Sequence, residues 1–147
     1  MDIDELIEKP YWIVDILPEQ VAKESGGQYF AIEQFYLSEP QNSELRRKYA
    51  DLILKLNCYY DLFVLDELAE DSECGELNPD PKKIVRCFMG EYAKNSVRFS
   101  IRNENTLIVS NKDDTHLTIY NPAERTLALI RRLADAEGLY VWRPVEP

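Results

Sequence analysis

A single histidine, only five glycines and no long apolar run limit what this 147-residue chain can do. With His116 as the sole imidazole, metal sites that need two histidines and mechanisms that need two imidazoles are excluded. A membrane-spanning helix needs about 20 consecutive apolar residues, and the runs present here suit core strands or helix faces instead. No membrane span is expected. The first ten residues carry four acids and lack the hydrophobic middle of a secretory signal, so a cytoplasmic chain is expected to begin here. Cys58, Cys74 and Cys87 are odd in number and widely spaced, which fits neither a disulfide framework nor a structural zinc site. Reduced thiols are expected. The phosphate loop G-x-x-x-x-G-K-S/T, the dinucleotide turn G-x-G-x-x-G and the nucleophile elbow G-x-S-x-G are all missing, so no cofactor is expected.

What the chain does have is acid. Against 17 basic residues stand 27 acidic ones, for a net charge of −10. That sign opposes a phosphate backbone, and nucleic acid is not an expected partner. Residues 1–95 hold 20 acids and 10 bases, whereas residues 96–147 hold seven of each. Asp66, Glu67, Glu70, Asp71, Glu73, Glu76 and Asp80 form one stretch without a Lys or Arg and supply −7 of the total. Crowded carboxylates repel and stay hydrated, so the stretch reads as a solvated connection or as a docking site for a basic partner. Its spacing lacks the order of an EF-hand loop, and calcium is not expected.

With 45% apolar and 11% aromatic residues, the composition is that of a folded domain, and the length suits one domain over 1–147. A short helix containing Leu6 and Ile7 should end at Pro10. Tyr11–Leu17, Tyr29–Leu37 and Cys58–Leu65 are rich in β-branched and aromatic residues and read as three strands, the first two most simply antiparallel. Leu45, Tyr49, Leu52, Ile53 and Leu56 recur at helical spacing, with Asn42 or Ser43 as the cap and Asn57 as a left-handed end. Asp80-Pro81 has the order of a cap followed by a first helical residue. Val97–Arg102, Thr106–Ser110 and His116–Tyr120 read as a three-stranded meander. Asn121-Pro122-Ala123-Glu124 suggests a capping box, Gly138 a helix end and Leu139–Trp142 a last strand. The expected class is α+β: a mainly antiparallel sheet of five or six strands, two main helices on one face, and one or two short helices.

Strict alternation places Asp15, Glu33 and Asp61 each among aromatics on one face of its strand. Were those strands neighbours, they would form an aromatic surface dotted with carboxylates, suited to ion pairing and cation–π contact with a Lys- or Arg-bearing protein. Solvent-side acids of an ordinary sheet would look the same. The expected function is non-catalytic binding of a basic protein through Asp15, Glu33, Asp61, Asp66, Glu67, Glu70, Asp71, Glu73 and Glu76, as in an inhibitor, immunity protein, adaptor or regulatory subunit. The alternative is a small metal-assisted hydrolase using Asp113, Asp114 and His116, although Asn-Lys-Asp-Asp is also a favoured turn. A homodimer burying the aromatic face is the third possibility.

Overall fold

A computed structural model describes residues 3–65, 75–90 and 95–145. Seven strands form one antiparallel sheet: β1 Tyr11–Asp15, β2 Leu62–Leu65, β3 Glu76–Leu77, β4 Ser96–Ile101, β5 Leu107–Asn111, β6 Leu117–Tyr120 and β7 Tyr140–Trp142. Their order is β3-β2-β4-β5-β6-β1-β7. The helices are α1 Ile3–Leu6, α2 Tyr29–Tyr36, α3 Gln41–Leu56, α4 Pro81–Phe88 and α5 Glu124–Ala136. The class is α+β, with one strand more than the upper expectation.

The meander of β4, β5 and β6 builds the core because its alternating residues meet in register. Phe99 pairs with Ile108, and Ile108 with Ile119, on the same face. Tyr49, Ile53 and Leu56 of α3, Ile84 and Phe88 of α4, and Ile130 and Ala134 of α5 close over that face. The Phe88 and Phe99 rings stack at 5.8 Å. On the opposite face, α1 covers a smaller patch, setting Ile3 and Leu6 against Leu65 and Leu107. Among the described residues, no helix is long and apolar enough to cross a membrane.

Some local signals act as the sequence suggests. Asp80 caps α4 by accepting the Lys82 N–H at 2.8 Å. At the end of α5, the Leu139 N–H reaches Ala134 O at 2.8 Å and the Gly138 N–H reaches Asp135 O at 3.0 Å. This double closure places Gly138 at φ +75°, a conformation that glycine adopts without a Cβ penalty.

Several expectations are corrected. Tyr29–Leu37 is not a strand: it forms α2 and the end of that helix. An apolar run without a clear period does not distinguish the two states, and the i, i+4 pair Tyr29 and Glu33 is joined by a 3.1 Å hydrogen bond that only the helix allows. β1 therefore pairs with β6 and β7. Only Leu62–Leu65 of the third run is extended, because the Tyr59 and Tyr60 N–H groups turn back to Leu56 O. Asn57 stays right-handed at φ −65°, its side chain bonding Tyr60 O instead. Asn42 and Ser43 lie inside α3, which starts after Pro40. The capping box does not form: Asn121 adopts φ +56°, gives its side-chain N–H to Asn105 O, and leaves Ala123 at the N-cap of α5.

Candidate functional site

α2 is the anomaly of the fold. Its sequence is Tyr-Phe-Ala-Ile-Glu-Gln-Phe-Tyr, yet none of its residues is buried. Phe30 is 73% exposed and Phe35 51%, with Tyr29 and Ile32 each at 40%. Tyr36 is the residue that packs on the core, and the Phe35 ring meets it edge-on at 5.6 Å. Scattered exposed apolar residues are ordinary, but four on one eight-residue helix are a concentration, with Tyr29, Ile32 and Phe35 spaced along one face and Phe30 on another, and exposed apolar surface of this kind suits interaction.

Beside the helix lies a group of carboxylates at the end of β1 and of the β5–β6 connection. Asp15 is 6% exposed and accepts the Ile16 N–H at 2.7 Å. Burial pushes its carboxyl above the usual carboxylate range; the Ile16 N–H, His116 and Trp142 act against that shift, and Glu33 adds to it. Trp142 Nε1 is buried without a hydrogen-bond partner among the described residues. Tyr29 is pushed up to about 12 by burial and by Glu33, with smaller contributions from Asp15 and Asp114. These groups therefore share one electrostatic environment, in which the carboxylates of Asp15, Glu33 and Asp114 lie about Tyr29 and the Arg46 guanidinium senses Asp114 and Asp113.

Residues from α3 fix that environment in place. Arg46, 3% exposed, donates to the carbonyls of Asn111 at 3.4 Å, Lys112 at 3.1 Å and Asp114. Tyr49, fully buried, donates to Val14 O at 3.3 Å and reaches Thr115 O. One helix thus ties the end of β1 to the β5–β6 connection through backbone carbonyls. A buried guanidinium is tolerable because fixed dipoles replace its water.

The structure separates the residues that alternation would place together. Asp15 and Glu33 sense each other, but β4, β5 and β6 lie between β1 and β2, so Asp61 stands on the far side of the sheet. Asp61 accepts a hydrogen bond from Asn78 at 2.8 Å and pairs with Arg102 at 3.6 Å. Glu76 pairs with Lys83. Asp66, Glu67, Glu70, Asp71, Glu73 and Cys74 lie outside the described residues.

Asp113, Asp114 and His116 occupy a turn rather than a ligand cage. His116 Nε2 lies 3.9 Å from Asp114 Oδ2, which also accepts from Asn111 Nδ2 at 3.3 Å. Among the described residues, no three His, Cys, Asp or Glu side chains are grouped to hold a metal.

Sequence reasoning missed Phe30, Ile32 and Phe35 because exposed aromatics on a helix look like core residues on a strand. The available signal was a nearly uncharged run set between Gly26-Gly27 and Pro40 in a chain otherwise rich in charge. Comparison with protein-family models, curated proteins and solved structures found no match for this chain, so its residues alone carry the functional reading.

Proposed function

We propose that this protein is a cytoplasmic, non-catalytic binding or regulatory domain whose α2 shoulder docks a protein of basic charge. An inhibitor, immunity protein, adaptor or regulatory subunit would work in this way. The observation that carries the proposal is the exposure of Phe30 and Phe35 on a helix with no buried residue, next to Glu33, Asp114 and the buried Asp15.

The division of labour follows from the chemistry. Aromatic side chains provide apolar contact area at small entropic cost and are enriched where interfaces gain most of their energy. The carboxylates select the sign of the partner and speed its approach. A second copy is disfavoured as the occupant, because each chain brings a net charge of −10 to the encounter. Asp15 contributes potential from below the surface rather than direct contact, since it is buried. Asp61 and Glu76 each already have a cation of their own.

The test is affinity capture at low salt from cells that encode the protein, followed by rebinding of the purified candidate. Wild type is compared with Phe30→Ser/Phe35→Ser and with Glu33→Arg. The expected result is a basic protein that rebinds wild type and is lost with both variants. A partner of acidic pI, equal retention by all three chains, or a dimer of the chain itself on sizing would overturn the proposal.

A further inference from the structure

The helices reverse the charge balance of the chain. α3, α4 and α5 contain ten bases (Arg46, Arg47, Lys48, Lys55, Lys82, Lys83, Arg86, Arg125, Arg131 and Arg132) and only four acids (Glu44, Asp51, Glu124 and Asp135). The rest of the chain therefore holds seven bases and 23 acids of the 17 and 27 present. The layer over the sheet is cationic on a molecule that is strongly anionic elsewhere.

Within that layer one groove, of about 490 Å³, runs between α5 and the turn that follows α3. Arg125, Leu129 and Arg132 line one wall, at the i, i+4 and i+7 positions that share a helix face. Tyr59 and Tyr60 line the other. Tyr59 is 66% exposed. The Tyr60 hydroxyl lies 3.0 Å from that of Thr126, which also contacts the Glu104 carboxylate at 2.9 Å. Glu104, the one acid of the lining, is thus engaged by α5 through a neutral hydroxyl.

Most arginines of the chain already have work. Arg46 holds backbone carbonyls, Arg47 pairs with Asp51, Arg102 with Asp61, Arg131 donates to Val141 O, and Arg143 lies over the Trp12 ring. Arg125 and Arg132 make no ion pair or hydrogen bond among the described residues, although both face a groove with aromatic walls.

We propose that this groove is a second docking site, which takes an extended acidic peptide segment of a partner protein with Arg125 and Arg132 as its anchors. A guanidinium fork matches a carboxylate in two-point geometry. Seven residues of α-helix separate the two arginines by about 10 Å along its axis. An extended peptide in the polyproline II form rises about 3.1 Å per residue with three residues per turn, so the matching ligand has carboxylates three residues apart on one side. An aromatic or aliphatic side chain between them faces Tyr59 and Leu129. A nucleic acid fits less well, because two arginines neutralise only two of its phosphates and the chain's net charge of −10 opposes the rest. A short peptide stays within about a Debye length, 8–10 Å, of the two cations. The protein then offers opposite charges on two separate surfaces, as an adaptor between unlike partners would.

The test is fluorescence anisotropy at low salt with a labelled peptide containing Asp-Tyr-Leu-Asp in a neutral context. The full chain is used, with folding of each variant confirmed by circular dichroism. Arg125→Glu/Arg132→Glu should weaken binding by about tenfold, and Arg125→Gln/Arg132→Gln by several-fold, in keeping with two exposed charge pairs reversed or lost. An Asn-Tyr-Leu-Asn peptide should bind about tenfold more weakly, whereas Arg86→Glu and Phe30→Ser/Phe35→Ser should change affinity less than about twofold. The proposal is overturned if wild type does not bind, if the Arg125/Arg132 variants bind like wild type, or if Arg86→Glu costs as much as they do. Displacement of the peptide by single-stranded DNA at equal concentration would overturn the choice of ligand.

Discussion

At Asp15 a carboxylate that is 6% exposed accepts the Ile16 N–H, and burial still raises its pKa above the ordinary 3.8 against the pull of that N–H, His116 and Trp142. The sign of the consequence is fixed by linkage. Folded protein holds the Asp15 proton more tightly than unfolded protein does, so this residue's contribution to stability is fullest below pH 3.8 and is lost as pH rises through the elevated folded value. Asp15→Asn keeps an oxygen for the Ile16 N–H and removes the charge. Thermal unfolding across acidic to neutral pH should therefore show a weaker decline with rising pH in the variant, and a neutral-pH melting temperature at or above that of wild type. A variant that matches wild type in acid but melts below it toward neutral pH would mean that the negative charge itself holds the β1 end in place. Asp15 was visible in the sequence as an acid among aromatics, but its burial was not. That depends on α2 and on the β5–β6 connection, which lie far from it in the chain.

Elements whose residues answer to neighbours in sequence were the legible ones. The meander follows from strict alternation, α3 and α4 from their apolar stripes, and the two ends just described, Asp80 and Gly138, from single residues whose backbone preferences are strong. α2 was misread because its aromatic content favours a strand locally, whereas its state is set by the chain entering α3 and by Tyr36 reaching the core. β3, only two residues long and carrying Glu76, has no apolar signature to read. If α2 exists to be touched rather than to be packed, its removal from contact should cost the fold little. Phe30→Ser/Phe35→Ser should change unfolding free energy by no more than about 0.5 kcal/mol, as exposed substitutions do. Ile130→Ala in α5, at a site 1% exposed, should cost roughly 3 kcal/mol by leaving a cavity. Urea titration distinguishes the two, and a loss above about 2 kcal/mol in the α2 variant would make those rings structural.

Across the whole molecule, charge is arranged by element more than by position along the chain. The division of the sequence into an acidic first part and a balanced remainder hides the cationic helical layer, because α3 and α4 belong to the acidic part. That layer becomes visible only when the fold places α3, α4 and α5 on one face. The acidic shoulder at α2 and the arginines of α5 are then distinct surfaces with opposite preferences, and the account of function rests on the first. Amide hydrogen exchange, measured on the chain alone and again with its basic partner bound, tests that account most directly. Protection should rise over residues 29–36 and over the connection containing Asp114, and leave the exposed face of α5 unchanged. Unaltered exchange at α2, with protection appearing elsewhere, would contradict it.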